Sequence, residues 1–216
     1  MTIPSDKLPA ISAVARLCSL RLNSPYLAGI WLEDAHCGLC WSVSNGLGFR
    51  PSEYRAPSWS WASLNATRLE WPHDSATGPV IETVPRIHVQ EANVTTEGRD
   101  PFGRVIAGFI KVVGRLRKFA LTAAVDLADI RWVCEANEVD LAGRAYAYID
   151  IKGTVLQDAW GLLLSHDASS CYVLLLTTTR TSPDLYQREG LAVMNISQQE
   201  EDTIFDASCE QTITII

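Results

Sequence analysis

Residues 104–122 read RVIAGFIKVVGRLRKFALT. Lys111, Arg115, Arg117 and Lys118 interleave with Val112, Val113, Leu116 and Phe119. Successive side chains of a strand leave opposite faces, so this pattern describes strands with one face on a core and the other in water. Gly114 interrupts it, which predicts two strands, 104–113 and 115–122. These four cations are also the nearest approach to a basic patch. On the wet face of a strand they are ordinary solvated charge, and a chain of net charge −7 repels phosphate backbones. Nucleic acid is therefore not an expected partner.

Working outward, similar runs lie at 39–43, 57–62, 86–95, 144–151, 159–164, 171–178, 186–194 and 210–216, with Gly, Pro, Asn and Asp between them. Ten short, β-branched runs with turn signals predict antiparallel β structure. Such proteins must close or stack their sheets to manage edge strands. The expected fold is mainly β, an antiparallel β-sandwich or partly closed barrel with a small N-terminal helical cap. One domain is expected over 1–216, with the cap at 1–35 and the β-rich body at 36–216. In the cap, Leu8, Ile11, Val14, Ala15 and Cys18 recur at helical spacing over 6–21 behind an Asp6 N-cap. Residues 25–34 read as a short helix or turn broken by Gly29. Residues 72–79 and 197–206 read as loops, and 122–133 as a helical turn or irregular excursion. The closing strand carries Ile213 and Ile215 on one face and needs a partner.

The N-terminal stretch has no apolar block of signal-peptide length, and the longest aliphatic run, Tyr172 to Leu176, falls far short of a membrane span. A cytoplasmic protein without membrane contact is expected. In that compartment the sequons at Asn65, Asn93 and Asn195 carry no information, and the six cysteines are expected as free thiols.

In PSWSWAS (57–63) alternation puts Trp59 and Trp61 on one face of a strand. Two indoles bury roughly 400 Å², enough to anchor a core beneath the cap. They also suit the wall of a ligand pocket, with Glu53, Tyr54 and Arg55 on the entering loop supplying polar groups. These five residues are the candidate ligand-binding set. No catalytic residue, metal ligand or cofactor is assigned.

Several blocks carry a resemblance. YLAGIWLEDAHCGLCWSV (26–43), RPSEYRAPSWSWAS (50–63), DPFGRVIAGFIKVVGRL (100–116), YQREGLAVM (186–194) and TITII (212–216) resemble the C-terminal portion of fungal heterokaryon-incompatibility (HET) domain proteins. DKLPAISAVA (6–15) resembles the segment that follows the HET domain. The blocks keep the family's order, and PSWSWAS is the most specific. The resemblance implies a fungal source and relatives whose cell-death activity resides in a HET domain that has no counterpart here. It transfers no catalytic residue.

The remaining motifs are weak. Cys37-Gly38-Leu39-Cys40 is a C-x-x-C, but a strand-like WSV follows it and no second ligand pair completes a zinc site. In an extended chain His36 points away from Cys37. Ser165-His166-Asp167 are consecutive and diverge, so they read as a hairpin turn rather than a triad. No P-loop, G-x-G-x-x-G or G-x-S-x-G is present, and Gly46-Leu47-Gly48 reads as a turn. The four histidines are scattered. His88 faces solvent opposite Ile87 and Val89, and Glu53 and Asp100 form no evident pair. The expected function is a HET-tail-like interaction or regulatory module, partnered by another protein or a small apolar metabolite. The alternative is a cyclase- or isomerase-type enzyme of fungal secondary metabolism with an aromatic-lined pocket. A third is a redox protein using Cys37 and Cys40.

Overall fold

The computed structural model describes residues 6–44, 48–72, 82–122, 131–134, 139–141, 143–154, 156, 158–180 and 182–216. The fold is mainly β. Helix α1 (Lys7–Ser19) leads into a two-stranded hairpin, β1 (Tyr26–Leu27) and β2 (Ile30–Trp31), then a single helical turn, α2 (Ala35–Gly38). Two short strands, β3 (Ser42–Val43) and β4 (Leu69–Glu70), pair across the stretch between them. The main sheet comprises β5 (Val84–Pro85), β6 (Ile87–Thr96), β7 (Val105–Thr122), β8 (Arg131–Cys134), β9 (Val139–Asp140), β10 (Ala145–Ile149), β11 (Asp158–His166), β12 (Cys171–Thr178), β13 (Leu185–Met194) and β14 (Glu210–Ile215). Helix α3 (Gln198–Ile204) precedes β14.

β7 is the axis. Along one side it pairs first with β6 and then with β11. Along the other it pairs with β14 and then β8. From β11 the pairing passes through β12 and β13 to β14 and so returns to β7, leaving the sheet curled on itself. All these pairings are antiparallel except β13 with β14, which is parallel over Leu185–Thr214 and Tyr186–Ile215. The expected break at Gly114 does not occur. Gly114 faces Ile87 of β6 and Gln211 of β14, so two neighbours keep the chain extended through it.

β11 and β12 explain why their sequences are apolar without alternation: both faces are covered. Leu162, Leu164, Leu174 and Leu176 join Ile110, Val112, Ile213 and Ile215 in one core, beneath α1 and the 26–62 segment. Leu163, Val173 and Leu175 join Phe119, Ile149, Ile204 and Phe205 in a second core, closed by β10 and α3. As expected, Ile213 and Ile215 are buried together on a paired final strand.

Four further expectations are corrected. Of the helix or turn expected at 25–34, the turn forms, at Ala28 and Gly29, whose positive φ (42° and 102°) closes a β-hairpin over 26–31 instead of a helix. The apolar stripe of α1 is narrower than expected: Leu8 and Ala15 are buried, but Val14 is 61% exposed. Residues 57–62 form no strand; 61–63 are a short 3-10 turn capped by the Ser60 hydroxyl, which accepts from Ala62 N. Residues 198–204 are a helix rather than loop. Ser197 Oγ accepts from Glu200 N while the Glu200 carboxylate accepts from Ser197 N, a capping box that the S-x-x-E spacing encodes. At 122–133 a strand begins at Arg131, while 123–130, like 73–81 and the turn at 46–47, lie outside the described residues.

Candidate functional site

Ser58 fixes the 50–63 stretch against the sheet. Its N–H donates to Ile216 O (3.1 Å), its hydroxyl also bonds that oxygen, and the hydroxyl accepts from Arg188 N (3.0 Å). One side chain thus ties the loop to β13 and to the end of β14. Gly108 on β7 completes the seat: a Cβ there would come within 2.7 Å of the Pro57 ring.

Above this seat is a cavity of about 280 Å³, lined by Arg50, Pro51, Glu53, Tyr54, Arg55, Ala56, Ser58, Ser63, Gly108, Gln187 and Ile216. Arg50 Nη2 donates to Arg188 O (2.5 Å) and Arg55 Nη1 to Asn65 Oδ1 (2.6 Å). The Nε–H of each is buried and has no partner among the described residues. Burial lowers the pKa of Arg50, and the carboxylates of Glu189 and Asp150 partly offset this. Burial pushes the Tyr54 hydroxyl up to about 12, so it is a neutral donor at physiological pH. The wall thus combines two guanidinium groups, whose N–H groups match carboxylate and phosphate geometry, with a phenol and the Glu53 carboxylate.

The structure brings Glu53, Tyr54 and Arg55 together on this wall and leaves Trp59 and Trp61 off it. Trp59 is fully buried in the first core. Trp61 is half-buried between that core and a small cluster of Trp41, Val43 and Leu64. Its indole N–H donates to Gly29 O (3.1 Å), and Ser60 Oγ donates to Ala28 O (2.6 Å), so this stretch holds the β1–β2 turn. Sequence reading missed Arg50, Gln187 and Ile216. Arg50 opens the same quoted block as Arg55, and its spacing gave the only available signal. The other two reach the cavity through long-range pairing that no local pattern reports.

No sequence motif marks Arg188. Fully buried on β13, it donates Nε to Asp150 Oδ2 (2.9 Å), Nη1 to Leu39 O (2.6 Å) and Nη2 to Trp41 O. Its guanidinium lies 3.4 Å from the centre of the Trp41 ring. It pins the 39–41 segment to the sheet.

Cys37 lies in α2 and Cys40 just beyond it, both free. Cys40 Sγ donates to His36 O (3.0 Å). Burial pushes the Cys37 thiol up to about 11 and Cys40 well above its ordinary range. A redox-active pair needs a lowered thiol pKa, so this geometry gives no support to thiol–disulfide chemistry. Ser165, His166 and Asp167 diverge as expected. His166 Nδ1 lies 2.9 Å from Glu201 Oε2, whereas Asp167 turns away to accept from Tyr172 OH (2.6 Å) and from Ser169 N and Ser170 N (both 2.8 Å). His88 is exposed, as expected from its strand parity. No helix among the described residues is long and apolar enough to cross a membrane.

No family model, no curated protein and no solved structure matches this chain.

Proposed function

We propose that this chain is a binding or regulatory module of the HET-tail type, and that its ligand carries a carboxylate or phosphate on a small apolar body. The observation that carries this reading is the cavity wall: Arg50 and Arg55 both line it, and the buried Nε–H of each has no partner among the described residues. Every lining residue also falls in one of four blocks that carry the family resemblance, 50–63, 100–116, 186–194 or 212–216. The cyclase-type alternative required an aromatic wall. Trp59 and Trp61 serve the core instead, so Tyr54 and Arg55 are what that alternative retains on the wall.

The test is isothermal titration of the full chain with benzoate and with inorganic phosphate, using benzyl alcohol as the neutral control. One or both anions should bind and benzyl alcohol should not. Arg55→Gln should weaken binding by at least about 10-fold, the worth of one charged hydrogen bond. Absence of anion binding, or equal affinity in Arg55→Gln, overturns the site. Incubating the protein with an extract of fungal metabolites and comparing mass spectra separates module from enzyme: consumption of a compound overturns the module reading.

A further inference from the structure

The α2 turn places three different metal-ligand types together. Asp34 is its N-cap, and His36 and Cys37 lie on it. Residues three apart on a helical turn share a face, so Asp34 and Cys37 are neighbours where an extended chain would separate them. The ligand atoms of Asp34, His36 and Cys37 all lie within 4.8 Å of one another. The frame is well held. Cys37 N and Gly38 N donate to Asp34 O (3.1 and 2.7 Å), Cys40 Sγ donates to His36 O, and Ala35 is buried.

Two further observations bear on a ligand. Thr83 Oγ1 lies 3.3 Å from Cys37 Sγ, in the position of an outer-shell group that orients a sulfur ligand. His36 also lines a second cavity, about 330 Å³, whose wall includes Glu33 and, from β6, His88. The cluster therefore adjoins a cleft.

We propose that Asp34, His36 and Cys37 bind one divalent cation of the zinc class, whose fourth position is left to water or to a ligand in the adjoining cavity. The donor set decides the class. A thiolate with an imidazole selects zinc-like ions over magnesium or calcium, which take oxygen ligands. Ligands on one tetrahedral zinc stand roughly 3.3–3.7 Å apart, given bonds near 2.0–2.3 Å, so side-chain shifts of about 1 Å close the observed cluster onto an ion. Three protein ligands with an open fourth position is the arrangement of reactive rather than structural zinc. The ion takes the place of the Cys37 thiol proton, which is released to solvent.

The experiment is a cobalt(II) titration of the full chain, followed by absorption. One equivalent should give the near-ultraviolet thiolate-to-cobalt band and the visible bands of a four-coordinate ion, and zinc should displace both. Cys37→Ser should abolish the charge-transfer band, and His36→Gln should weaken cobalt binding by more than about 100-fold, beyond the loss expected for an outer-shell change. Circular dichroism checks that each variant is folded. Should Cys37→Ser not fold, His36→Gln decides alone. Absence of the band in the unmodified chain, an unchanged band in Cys37→Ser, or unchanged affinity in His36→Gln overturns the site. Cobalt binding weakened by more than about 100-fold in His88→Ala would overturn the open position by making His88 the fourth ligand.

Discussion

The curled sheet and the layer of residues 26–71 are held by different forces. In the sheet, long ladders run beside side chains that alternate between two apolar cores, and Leu162, Leu163, Leu164, Leu174 and Leu175 are all fully buried. In the 26–71 layer each ladder is only two residues long. What holds the layer is side chain to backbone: Trp41 Nε1 to Trp59 O (2.9 Å), Ser60 to Ala28, Trp61 to Gly29, and Arg188 to Leu39 and Trp41. Stability in the first region is spread over many apolar contacts. In the second, a few polar anchors supplement the burial of Leu27, Ile30, Leu39 and Trp59 in the first core. Both candidate sites draw on the second region, the usual placement of functional groups on irregular segments over a rigid scaffold.

The sharpest way to break this comparison is Arg188→Met. It leaves the buried Asp150 carboxylate without its guanidinium and frees two carbonyls of the layer. Removing one partner of a buried ion pair costs about 3–5 kcal/mol. Urea denaturation should show that loss, and Arg188→Met/Asp150→Leu should recover part of it, since an apolar pair leaves no buried charge unpaired. A loss below about 1 kcal/mol would mean the layer is not anchored at Arg188.

Two glycines offer the next comparison. Gly29 (φ 102°) lies in the layer, and an added Cβ would come within 2.4 Å of Trp61 Nε1. Gly98 (φ 82°) lies in the β6–β7 connection with nothing within 4 Å of its Cβ position. Gly98→Ala should cost about 1–2 kcal/mol, the left-handed strain alone. Gly29→Ala should cost about 2–4 kcal/mol, because the indole and its bond to Gly29 O are displaced as well. Thermal unfolding of the two variants measures the gap, and equal values would show the Trp61 anchor to be dispensable.

The same division decides what was legible in the sequence. Period-two patterning located β6, β10, β13 and β14 to within a few residues, because burial across a sheet writes itself into alternate positions, and continuous apolar runs located β11 and β12, which are covered on both faces. Arg188 lay inside a correctly read strand, yet nothing local tells a strand cation facing water from one buried under Trp41. PSWSWAS alternates like a strand, but its conformation is set by distant acceptors at Ala28, Gly29 and Ile216. The Asp34, His36 and Cys37 cluster has no local signature, because an extended chain separates residues that a single helical turn gathers. Helix α3 is the opposite case: its S-x-x-E start was written in the sequence and went unread.

Helix α3 also supplies the smallest prediction, and the one that tests whether the two regions are independent. Glu200 accepts from Arg144 Nη1 (2.5 Å) and from Ser197, and the Arg144 bond first, with Ser197 second, holds its carboxyl down to about 2. A carboxylate whose folded pKa lies below its unfolded value near 4.3 stabilises the fold above that unfolded value. The contribution is lost as pH falls through the folded value. Glu200 lies at the surface, so solvent screening keeps the effect below about 1 kcal/mol and makes it weaker in high salt. Glu200→Gln should therefore be slightly less stable than the unmodified chain at neutral pH, and the difference should close as pH falls from about 4.3 toward 2. Affinity for benzoate or phosphate at Arg55 should not change in this variant, because α3 packs against the second core and contributes nothing to the cavity wall. A changed affinity would mean that strain passes through the sheet from one face to the other, and the layer could no longer be treated as held by its own anchors.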